Sequence, residues 1–182
     1  MASYRSQLDP HGALSAAGRE ETGERAGAGS DLPGGSAGRD AARRGLALVR
    51  AYAREDAAGV AAALDGADPA AARQLPSVTG DILRLVIGIV LSVPRTLTPS
   101  DVVRTADAIA AAGPPHHELA VSQAVRSWAE GDDAGLRAWG RDEAGCAHGA
   151  AVLAAALAVG AWGREPFLGL LETFDEVVDA CG

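Results

Sequence analysis

The stretch "VRAYAREDAAGV" at residues 49–60 recurs as "VRSWAEGDDAGL" at residues 125–136, 76 positions further along. Six of the twelve positions are identical. Tyr52 against Trp128 and Val60 against Leu136 keep a bulky apolar side chain at the same helical phase. The correspondence resumes at an offset of 68, pairing Leu85 with Leu153, Ile89 with Leu157, Val102 with Leu170, Val103 with Leu171, Thr105 with Thr173 and Asp107 with Asp175. The loss of eight positions implies an insertion in the first half, for which "DGADPAAAR" (65–73) is the natural place. An internal echo of this kind constrains a fold strongly, because both halves must then present the same elements in the same order.

Those elements read as helices. Apolar residues make up 48% of the chain and are dominated by Ala, the best helix former, while aromatics reach only 4%. The sequence predicts an all-α fold, a single helical domain of two tandem four-helix units. Unit one (40–113) would hold helices 40–54, 56–64, 80–93 and 99–112. Unit two (114–182) would hold 115–130, 133–140, 143–162 and 166–180. Asp56 and Asp132 stand where a carboxylate caps a helix start, and "TPSD" (98–101) has the form of a capping box. Gly113, Pro114 and Pro115 end one unit before the next begins. The third helix of each unit is apolar around its whole circumference, so both are expected in the core. Residues 1–39 carry Gly, Ala, Ser, Arg and Glu without an apolar period and are expected to form a disordered arm.

The longest apolar stretches, 82–93 and 150–162, fall short of the roughly 20 residues that cross a bilayer, and the start lacks the apolar core of a secretory signal. A cytosolic protein with no membrane partner is the expectation, and its two cysteines, Cys146 and Cys181, would be reduced. A net charge of −8 opposes a nucleic-acid partner, which would need a basic surface. All 16 cations are Arg, and Lys and Asn are absent, the imprint expected of a GC-rich bacterial genome.

No constellation points to catalysis. His116 and His117 are adjacent, and Cys146 and His148 form a C-x-H pair, but residues two apart on a helix project about 200° from each other and cannot share one metal ion. No nucleophile elbow or phosphate loop accompanies them. No catalytic, cofactor or metal residue is therefore assigned. Two features suggest a docking surface instead. Trp139 takes the place of Ala63 in the first half and either fills a gap or anchors an interface. Glu172, Asp175, Glu176 and Asp179 line one face of the last helix at i, i+3, i+4 and i+7, where like charges repel unless solvent or Arg side chains meet them. The tandem units resemble helical repeats in general but lack the signature residues of the tetratricopeptide or ankyrin types. The expected function is a cytosolic protein-interaction or scaffolding module with a protein partner, self-association being left open. The alternative is a small-ligand protein or enzyme with a pocket between the two units.

Overall fold

The computed structural model describes residues 35–92, 97–132 and 143–180. Among the described residues there are seven α-helices and no strand: α1 (Ser36–Arg54), α2 (Ala57–Leu64), α3 (Pro69–Ser92), α4 (Pro99–Ala110), α5 (Pro115–Ala129), α6 (Glu143–Trp162) and α7 (Arg164–Ala180). The chain is all-α, as its composition requires. The arm expected over 1–39 is shorter at its carboxyl end, since Ser36–Arg39 already form the first turn of α1; residues 1–34 lie outside the described residues. So do the helix expected at 133–140 and Trp139 within it.

α6 is the central helix. Ala151, Ala154, Ala155, Ala156 and Ala158 are fully buried, and α3, α1, α4, α7 and α5 all pack on it. A side chain of one carbon lets neighbouring backbones come close, which is how one helix can be surrounded on every side. α1 is the second hub, burying Leu46, Leu48, Val49 and Tyr52. Its Gly45 lets α3 lie close, because a Cβ there would stand 2.6 Å from Val78 Cγ1.

Three sequence expectations change. The supposed insertion at 65–73 is in part the first turn of α3, which opens at Pro69 and runs on through Pro76. Packing overrides that proline: Ala71, Leu75 and Thr79 are buried, and the Thr79 hydroxyl donates to the carbonyls of Leu75 and Pro76. Second, α3 is not a core helix like α6. Only Ala71, Leu75, Thr79 and Val86 are buried along it, while Leu85, Ile87 and Leu91 stand in solvent. Third, the expected likeness of Tyr52 and Trp128 is not met, since Tyr52 is 1% exposed and Trp128 37%. Ile89 and Leu157 are both half-buried rather than buried.

Candidate functional site

The acidic face of α7 meets arginines of the same chain. Arg43 donates to Asp179 Oδ1 from both Nε (2.9 Å) and Nη2 (2.7 Å). Arg50 pairs with Asp175 and also donates to the Leu171 carbonyl at 3.3 Å. Arg164 pairs with Glu55 at the far end. The numbers rise along α1 as they fall along α7, so the helices run antiparallel with a seam of ion pairs between them. Of the four acidic residues singled out in the sequence, Asp175 and Asp179 are thus engaged by α1, while Glu172 and Glu176 are exposed. Beyond Leu171 no α7 side chain is fully buried, so the last turns rest on the half-buried Phe174 and Val178 and on these pairs.

On its other flank α1 forms an open groove with α2, about 430 Å³ in volume and lined by Arg43, Arg44, Arg50 and Arg54, by the carboxylates Asp40 and Asp56, and by small residues such as Ala47 and Gly59. It lies within the first half of the chain, not between the halves. Arg44 has a structural task there: it pairs with Asp40 and donates to the carbonyls of Ala63, Asp65 and Gly66. Those carbonyls end α2 and lack helical partners, and a cation is favoured at that negative end of the dipole. Arg54 is exposed and makes no ion pair among the described residues.

A buried polar cluster lies on the opposite side of α1. The Tyr52 hydroxyl and His148 Nδ1 share a hydrogen bond; both residues are buried. The His148 ring stacks on His117 with centroids 4.2 Å apart, and His117 lies 4.0 Å from the exposed His116. Gly113 makes room for the phenol, since a Cβ there would come within 2.6 Å of its oxygen. Burial pushes the Tyr52 phenol well above its ordinary pKa, so the hydroxyl stays protonated beside the imidazole. Sequence reasoning set His116 beside His117 and Cys146 beside His148, and it missed that Tyr52 of α1, His117 of α5 and His148 of α6 come together. Among the described residues no three His, Cys, Asp or Glu side chains are grouped to hold a metal ion.

The fold and these sites define an all-α protein with a charged interhelical seam, an arginine-lined groove and a long, partly bare apolar helix. No protein family, curated protein or solved structure matches the chain.

Proposed function

We propose that the chain is a cytosolic helical protein-interaction module that associates with a second copy of itself through the exposed face of α3. One observation carries this reading. By the offset of 68, Ile87 and Gly88 of α3 correspond to Ala155 and Ala156 of α6, which are completely buried. The α3 residues, with Leu85 (45% exposed) and Leu91 (80%), are bare. A helix apolar on all sides is suited to a covered position, and a contiguous apolar patch marks an interaction surface. Leu85 and Leu91 lie three residues to either side of Gly88. A two-fold axis through Gly88 therefore sets each leucine over its counterpart's neighbour across an antiparallel pair, with Arg84 opposite Ser92 and no like charges together. Nothing lies within 4 Å of where a Gly88 Cβ would be, so the two backbones can approach closely.

The test is the mass of the full chain by light scattering. A dimer is expected, and Leu91→Glu should convert it to a monomer of unchanged helical content. A monomeric parent protein, or a dimer that survives Leu91→Glu, would overturn the reading. A second occupant has its own support: α3 and α6 are both long and apolar enough to cross a membrane, and only 22% of the most apolar part of α3 is buried against 61% for α6. Flotation of the parent protein with phosphatidylcholine vesicles, lost in Leu91→Glu, would assign this face to lipid instead.

We also infer that the two halves come from one duplicated four-helix unit. Arg50 and Arg126 are counterparts, as are Asp107 and Asp175. The ion pairs are Arg50 with Asp175 and Arg126 with Asp107, so the arginine of each half holds the aspartate of the other. This exchange supports common descent even though Tyr52 and Trp128 have diverged in surroundings.

A further inference from the structure

α7 changes character along its length. Its first half is anchored: Phe167, Leu168 and Leu171 are buried, and Phe167 lies beside Trp162 of α6 with ring centroids 6.2 Å apart. Beyond Leu171 the described side chains reach the core only through Phe174 and Val178, both half-buried. The junction between the halves is soft on two counts. Gly169 stands mid-helix, where glycine is among the weakest helix formers, although nothing packs within 4 Å of where its Cβ would be and close packing does not call for it. One turn on, the Thr173 hydroxyl donates to the Gly169 carbonyl at 3.3 Å, a bond that competes with the helical one to the same oxygen and favours a bend.

We propose that residues 172–180 are a strap that opens and closes on α1 as one unit while the rest of the fold stands, hinged between Gly169 and Thr173 and latched by two arginines. Arg50 grips both sides of the junction, donating to the carbonyl of Leu171 in the anchored half and pairing with Asp175 in the strap. Arg43 holds Asp179 one turn further on. A segment with so few buried contacts belongs to the low end of local stabilities. Once off α1 it also loses its helix, because Glu172, Asp175, Glu176 and Asp179 repel one another without the arginines and Asp179 meets the negative end of the helix dipole. Opening bares Arg43 together with the apolar strip under Phe174 and Val178, so α7 itself sets when this side of α1 is accessible. The device involves neither α3 nor its exposed face.

The test is native-state hydrogen exchange of the full chain, followed amide by amide by NMR at low urea concentrations. The amides of residues 174–180 are expected to share one protection factor, at least about ten-fold below that of the slowest amides of α6, and to respond little to urea because the opening exposes little surface. Arg43→Gln removes the latch at Asp179 and should lower the shared value about two- to five-fold at every one of these amides, the scale of one exposed ion pair. Circular dichroism checks that this surface variant keeps its helical content. Protection that falls steadily towards Ala180, or an effect of Arg43→Gln confined to the last turn, overturns the proposal in favour of simple end fraying. Protection and urea dependence equal to those of α6 overturn it as well, since α7 then opens only with the whole fold.

Discussion

Tyr52 shows what a single buried phenol does to this fold. Its ordinary pKa is 10.0, and burial raises it in the native state. The native chain therefore holds a proton that the unfolded chain releases above about pH 10, so the unfolded state binds fewer protons there and stability falls as pH rises. The contribution is complete below the unfolded value and is lost through the alkaline range. Lys is absent, so few other groups titrate in that window. Tyr52→Phe should cost roughly 1–3 kcal/mol at neutral pH by removing the partner of His148 Nδ1, and it should flatten the alkaline decline in urea midpoint. Equal declines in parent and variant would show that another group controls it. Gly113→Ala should cost about 1–3 kcal/mol because its methyl collides with the phenol oxygen. In the Tyr52→Phe background that oxygen is gone, so most of the cost should vanish, as a double-mutant cycle in thermal unfolding would show. None of this was legible in the sequence. His148 lies 96 positions from Tyr52, and no local spacing announces a contact between separate helices.

At the scale of elements, the signals that worked were those whose chemistry is local. Asp56 accepts from the Gly59 amide at 3.0 Å as an N-cap. Thr98 and Asp101 form the reciprocal capping box, whose hydrogen bonds from Thr98 hold the Asp101 carboxyl below its ordinary pKa. The start of α3 was missed because 65–73 reads as an insertion between helices, whereas Pro69 opens the helix and Ala71 and Leu75 are buried along it. The acidic face of α7 is visible as a pattern in the sequence, but the pattern does not say that Arg43 and Arg50 of α1 meet Asp179 and Asp175. Neutralising Asp179 would relieve repulsion if the face were merely solvated. Since Asp179 is clamped by Arg43, Asp179→Asn should instead destabilise, by about 0.2–1 kcal/mol because the pair is exposed. Glu176→Gln, one position outside the seam, should change stability by less than about 0.5 kcal/mol or raise it slightly. Melting temperatures of the two variants decide this, and a stabilising Asp179→Asn would show the clamp to be without energetic effect.

At the scale of the whole molecule, the halves legible in the sequence are not separable bodies. α6 of the second half is enclosed by α1, α3 and α4 of the first, and α7 lies along α1. A fragment ending at Gly113 should therefore show little helical signal alone, as should one beginning at Pro114, and mixing the two should restore it. Independent folding of either fragment, seen by circular dichroism, would show that the halves are autonomous after all. The seam between α1 and α7 joins residues as much as 136 positions apart. During translation at about 5–20 residues per second, Arg50 waits roughly 6–25 s for Asp175, 125 positions later, to be made. Through that interval the nascent chain carries α1 without α7, so a ribosome stalled between the two helices leaves Arg43 and Arg50 without the carboxylates that meet them in the finished fold.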